Sequence, residues 1–347
     1  MQTVETAPDS KPVKVLYLSE KDVEPVMTPA DALGYAEMAF RLYAKSLKGE
    51  NPASFAPIMA YHTQVPNSDV DYRSGAMDPI PTLCSTLGFG YADNPSKYGL
   101  PSMHSVAVLS DVATGIPKCI MAQGSFFLSF LRTGAAAAIA SKYLAKKEPK
   151  TIAMIGSGSL ARHTLRCHIA QYGYPDEVRA WSKTSTTAER FASEMMEELG
   201  IEVKASPQAR KVVNGADIIY CTTRSKEPVV MDEWVEAGMH ISAFGSDAPG
   251  KQELDSKILK RAKVVVDSFE QCVFGGEISK PMAQGLMVKE DVYGELGEIV
   301  NGWKQGRERK DEITVMDSTG LAALDVVTFH YAYEKAIASG AGVELEL

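Results

Sequence analysis

Apolar positions change their rhythm twice along the chain. The run VLYLS (15–19) predicts a short strand, and TPADALGYAEMAFRLYAKSLKGE then places apolar residues at helical spacing behind Thr28, a good N-cap type. From about residue 51 to 125 short apolar segments (APIMAYH, SVAVLSDV, KCIMAQG) are separated by Pro, Gly, Asn and Asp, which predicts an antiparallel sheet with hairpins such as DVATGIP. LRTGAAAAIASKYLAKK is Ala-rich and predicts a helix, with Arg132 and Thr133 in its first turn.

Beyond the polar linker KKEPK (146–150) the runs TIAMIG, EVRAW, ADIIYCTT, HISAFG and AKVVVD alternate with helical stretches such as AERFASEMMEELG. Strand and helix in alternation predict an α/β, doubly wound parallel sheet. ITVMDSTGLAALDVVTFHYAYEKAIAS predicts a last strand, a glycine turn and a long helix that packs back on the first part of the chain.

At 347 residues, with 45% in the hydrophobic class, the chain is long enough for two cores. A net charge of −8 argues against nucleic acid or an anionic membrane surface as partner. Five scattered cysteines without CxxC spacing suit core thiols in a reducing compartment, and the six histidines show no metal-ligand spacing. With no apolar leader in MQTVETAPDSKPVK and no long apolar run, the expectation is a soluble, cytoplasmic protein with no metal.

The clearest chemical motif is TIAMIGSGSLARHTL, a strand followed by Gly156-x-Gly158-x-x-Ala161 and a helix. Gly156 permits the tight turn, Gly158 lets backbone approach a pyrophosphate, and Ala161 lets helix and strand pack closely; Ser159 and Leu160 complete the loop. Phosphates would rest on the helix N-terminus. Thr222 and Thr223, closing the strand ADIIYCTT, count among the cofactor contacts. Beyond EVRAW, where NAD enzymes often carry a carboxylate, the chain reads Ser182-Lys183-Thr184; hydroxyls and a lysine favour the 2′-phosphate of NADP(H), with NAD(H) possible.

In open α/β sheets the reacting groups sit beyond the carboxyl ends of the strands. Asp247 follows HISAFG at such a point, as an acid/base with a raised pKa or as a turn residue. Arg132 has the planar fork that holds a carboxylate, though an interdomain ion pair would explain it too, and Arg73 in DYRSGA is a further cation in a loop-rich stretch. His104 alternates with apolar neighbours and reads as a packed strand residue.

GLPSMHSVAVLSDVATGIP, LRTGAAAAIASKYLA, IGSGSLA, GMHISAFGSDAPGKQEL and MDSTGLAALD stand in the order found in the ornithine cyclodeaminase and mu-crystallin family, which the chain resembles over roughly 15–335. The resemblance implies a Rossmann domain at 140–316, an α+β substrate and dimerisation domain from 1–139 and 317–347, and a homodimer. It implies that Asp247 is the acid/base, that Arg132 holds the substrate carboxylate, that Met59 in the MPAY-like IMAY touches substrate, and that Thr133, Lys251 and Ser318 lie by the cofactor. A lysine usual in the family's L-G-x-K strand is replaced by Gly90, with Arg73 or Lys97 as possible substitutes. The activity implied is NAD(P)H-dependent interconversion of an imino acid and an L-amino acid. Cyclodeamination without net redox change and NADPH-dependent binding of a ligand without catalysis are the alternatives.

Overall fold

The computed structural model describes residues 12–347, so the expected unstructured start lies largely outside the described residues. Two eight-stranded sheets make up the fold. The first runs Val343–Glu346, Lys14–Leu18, Pro117–Ala122, Met103–Asp111, Ile80–Tyr91, Ser68–Met77 and Ala53–Phe55, with Met59–Tyr61 also on Ser68–Met77. All its pairings are antiparallel except that between Lys14–Leu18 and Pro117–Ala122. Strand Ile80–Tyr91 shows why it needs a partner layer. Ile80, Thr82, Cys84 and Thr86 are buried on one face, whereas Pro81, Leu83 and Leu87 of the other are exposed, the period-2 signature of a half-covered sheet.

The second sheet is parallel throughout, in the order Val203–Ala205, Glu177–Trp181, Thr151–Ile155, Ile218–Cys221, His240–Ala243, Thr314–Asp317, Lys263–Val266, Val292–Glu295. Its central strands IIYC, HISA and TVMD are buried at every position, as strands covered on both faces must be. The topological switch falls between Thr151–Ile155 and Ile218–Cys221, and the carboxyl ends around it form the floor of the site. The two edge strands Val203–Ala205 and Val292–Glu295 carry no strong apolar run, which is why the pattern did not foretell them.

Helix Gly124–Leu144 joins the two sheets, packing on helices Pro29–Leu47 and Ser159–Tyr172 and against strands of both. Its small residues permit close approach: a Cβ on Gly134 would lie 2.7 Å from the backbone of His163 and Thr164. The helix begins at Gly124, seven residues before the Ala-rich stretch that starts at Leu131, because SFFLSF between them holds no breaker. Arg132 and Thr133 are therefore in its third turn, and the Thr133 hydroxyl donates to the Ser129 carbonyl at 2.7 Å. The last helix, Ala322–Ser339, returns to the first sheet as expected, stacking Tyr331 on Tyr35 with ring centroids 4.5 Å apart. Thr28 caps Pro29–Leu47 through a 3.1 Å bond from the Asp31 amide, and all five cysteines are buried free thiols.

Candidate active site

Between the sheets lies a cleft of about 290 Å³, of the size that holds part of a cofactor and a small substrate. Gly158, Ser159, Leu160, Thr222 and Thr223 line one side; Asp247, Lys251 and Ser318 come from adjacent strand ends, and Arg132, Thr133 and Arg73 face them from the first sheet and its helix. Thus eleven of the residues singled out from sequence meet in one cavity.

The glycine loop fits a dinucleotide pyrophosphate. Gly156 has φ +112°, and a Cβ there would sit 2.5 Å from the Thr222 hydroxyl, so no side chain can replace it. Around Gly158, the N-cap of Ser159–Tyr172, a Cβ would meet nothing within 4 Å, which leaves open space at a helix N-terminus. Ala161 is fully buried. Ser182, Lys183 and Thr184 lie outside this cavity, at the carboxyl end of Glu177–Trp181, with Lys183 exposed and without an ion pair among the described residues. No residue in that turn is acidic.

Asp247 differs from the expectation in one respect. Its side chain is 42% exposed and Lys251 Nζ is hydrogen-bonded to Oδ1. Burial pushes its pKa up, but the charge and hydrogen bond of Lys251, then Arg73 and Arg224, outweigh it and hold the group below the usual carboxylate range. Asp247 is therefore ionised at neutral pH, whereas its position at the strand end suggested a raised pKa. Lys251, expected at the cofactor, is engaged by this carboxylate.

Three arginines approach from different directions. Arg132 is 4% exposed; its Nε donates to Asp325 at 2.8 Å and its Nη1 to Thr133 at 2.8 Å, leaving Nη2 without a partner among the described residues. Arg73 lies on strand Ser68–Met77, not in a loop. It pairs with Asp71 at 2.8 Å while its buried Nε has no hydrogen-bond partner. An orphaned guanidinium N–H in a cleft is costly unless a ligand satisfies it. Arg224 reaches across from the second sheet to Asp69 at 2.9 Å. The Asp69–Arg224 pair fills the space over Gly90, where a Cβ would come within 2.0 Å of Asp69 Oδ1 and 2.8 Å of Arg224 Nη2. A lysine at position 90 would therefore have to displace that pair. Lys97 is turned to Asp93 and does not line the cleft.

Below the cleft, buried carboxylates hold the strand-end loops. Glu253 accepts from the Thr223 amide (2.5 Å) and hydroxyl (2.7 Å) and from the Gly245 amide (2.8 Å), and burial pushes its pKa up to about 7. Glu277 accepts from the amides of Glu253 and Leu254, while Asp267 accepts from the Ser318 hydroxyl and the Gly320 amide.

Sequence reasoning missed Asp69, Asp71, Arg224, Glu253 and Asp325. Two signals were present: SDVDYR carries Asp69, Asp71 and Arg73 at strand spacing, and Glu253 belongs to the same KQEL segment as Lys251. Met59 is a correction. It is 56% exposed, on a short strand exposed at every position, and lines neither the cleft nor the neighbouring cavity, whose lining takes Ile58 and Ala60 from this segment instead. His104 is half-buried with Nδ1 2.6 Å from Gln123. No group of His, Cys, Asp and Glu among the described residues could hold a metal ion, and no described helix is long and apolar enough to cross a membrane.

Residues 14–340 match the model of the ornithine cyclodeaminase/mu-crystallin family. The chain belongs to that family. It is 37% identical over 341 residues to an alanine dehydrogenase of Archaeoglobus fulgidus, covering 96% of this chain and 99% of the relative. Among solved structures, an archaeal alanine dehydrogenase dimer with bound NAD matches this family member with a TM-score of 0.87 at 36% identity, over 96% of this chain and 99% of that one. The Δ1-pyrroline-2-carboxylate reductase of Thermococcus litoralis, in complex with NADH and L-proline, matches with a TM-score of 0.89 at 33% identity, over 95% and 99%.

Proposed function

We propose that the protein is an NAD(P)H-dependent oxidoreductase that reduces an imino acid to an amino acid, or runs the reverse. The observation that carries this reading is the juxtaposition, in one cleft, of an open glycine-loop cradle, the ionised Asp247, the buried unsatisfied Nε of Arg73 and the guanidinium of Arg132. Relatives whose names specify alanine dehydrogenase and pyrroline-2-carboxylate reductase support it.

The dinucleotide, when bound, supplies or takes the hydride. The backbone of Gly158, Ser159 and Leu160 at the helix N-terminus would hold the pyrophosphate. Arg132 Nη2 and Arg73 Nε hold the substrate carboxylate and thereby orient the carbon–nitrogen bond. Asp247, kept ionised by Lys251, stabilises the protonated imine, whose positive charge makes its carbon a better hydride acceptor. In the reverse direction the same carboxylate takes a proton from the amine. The Asp247→Asn variant should lose about 10²- to 10⁴-fold in kcat while retaining cofactor binding. Unchanged turnover in that variant would remove Asp247 from the chemistry.

NADP(H) is preferred in this reading, on the strength of exposed, unpaired Lys183 and the absence of a carboxylate beyond Glu177–Trp181. The protein acts as a homodimer, because the outer face of the first sheet presents Leu83 and Leu87, 36% and 38% exposed, beside the half-buried Val106, Val108 and Ile120. The cytoplasm, with its reducing poise, suits five free thiols.

A further inference from the structure

A second cavity, of about 460 Å³, lies on the other side of Asp247. Asp247 and Thr319 line both this cavity and the cleft, so the two spaces meet at the acid/base residue. Their chemistry differs. The cleft carries three arginines and a lysine, whereas the second cavity has no cation on its described lining and is walled by Phe55, Ile58, Phe274, Leu321, Ala322 and Ala323. Apart from Asp247 its one charged group is Glu270, which is exposed at the rim. Leu47 and Phe274, at 59% and 60% exposed, add apolar surface there.

A cavity of this size exceeds what a methyl group or a five-membered ring requires, and apolar walls beside a reacting centre gain by excluding water against an apolar group. We propose that the cavity receives an apolar substituent, aryl or branched alkyl, projecting past Asp247 from the imine centre. This inference rests on the imino-acid reductase reading above. The preferred substrate is thus bulkier than the imine of pyruvate, the substituent being carried either on the α-carbon or on the imine nitrogen. An anionic tail is disfavoured, because the two charged groups on the lining, Asp247 and Glu270, are both carboxylates and no cation stands among the described lining residues to pair with it. Each buried methylene contributes roughly fourfold to kcat/KM, so an aryl group is worth more than tenfold.

The test uses the full chain with NADPH and with NADH, and three reactions: pyruvate with ammonia, phenylpyruvate with ammonia, and pyruvate with benzylamine. At least tenfold higher kcat/KM in the second or third reaction supports the proposal, and which of the two responds locates the substituent. Ala56→Trp, in the loop lining the cavity, should erase that gain while changing the pyruvate and ammonia rate less than twofold; Ala60→Phe, at an exposed position, serves the same purpose should the first variant fold poorly. Equal or better turnover of pyruvate and ammonia, or equal losses on all substrates in the filled variants, overturns the apolar-substituent assignment and leaves the reductase reading standing. Absence of turnover in every reaction, with NADPH still bound, overturns both.

Discussion

Glu253 holds three donors from two loops that border the cleft, and it does so with no exposure to water. Burial raises its pKa from the ordinary 4.5 to about 7, so the folded chain binds the proton more tightly than the unfolded chain does. The sign follows from proton counting. Between pH 4.5 and 7 the native state carries more protons, so this group's contribution to stability is fully present below 4.5 and is lost as pH rises through 7. At 1.36 kcal/mol per pH unit the whole effect is ~3 kcal/mol, of which ~2 kcal/mol falls between pH 5.5 and 8.5. Glu253→Gln removes the titration and also places an NH₂ where one carboxylate oxygen accepted a hydrogen bond, at a further cost of ~1–3 kcal/mol that is independent of pH. Urea unfolding of both proteins at the two pH values isolates the titrating part, because the other ionisable groups are common to both. The expected result is a stability deficit of the variant that narrows by ~2 kcal/mol from pH 5.5 to pH 8.5. A deficit that stays constant, or widens towards alkaline pH, would refute the argument that burial governs this carboxyl.

Three further outcomes are expected. Arg132→Met should lower the unfolding free energy by ~3–5 kcal/mol by leaving Asp325, 2% exposed, without its cation, and Arg132→Met combined with Asp325→Leu should recover much of that loss in urea titrations. Lys183→Asp should shift the NADPH-to-NADH ratio of dissociation constants by about tenfold or more towards NADH, and an unchanged ratio would end the 2′-phosphate assignment. Leu87→Glu should produce monomer at low micromolar concentration in light scattering, since a charge in the middle of an apolar sheet face opposes its burial; an unaltered mass would place the interface elsewhere.

Much of this site was legible along the chain because its elements are local. The glycine loop is one strand, one turn and one helix start, and its residue types follow from the backbone path at Gly156 and the open space at Gly158. Asp247 was legible from its place at a strand's carboxyl end. Parallel strands such as IIYC and HISA declare themselves through continuous burial, as the alternating strand Ile80–Tyr91 does through its period. Folding decided what depends on partners remote in sequence. The ionisation of Asp247 is set by Lys251, Arg73 and Arg224, two of them far along the chain, which reverse the effect of burial. Arg132 could be assigned a ligand or an ion pair from sequence; the structure shows that Nε is committed to Asp325, 193 positions away, and Nη2 is not. The space at Gly90 is occupied by Asp69 and Arg224, brought from opposite sheets to one point. Short-range chain geometry can be encoded by neighbouring residue types, whereas the local field and free volume at a reacting group are sums over atoms that only the packed tertiary structure brings within a few ångströms.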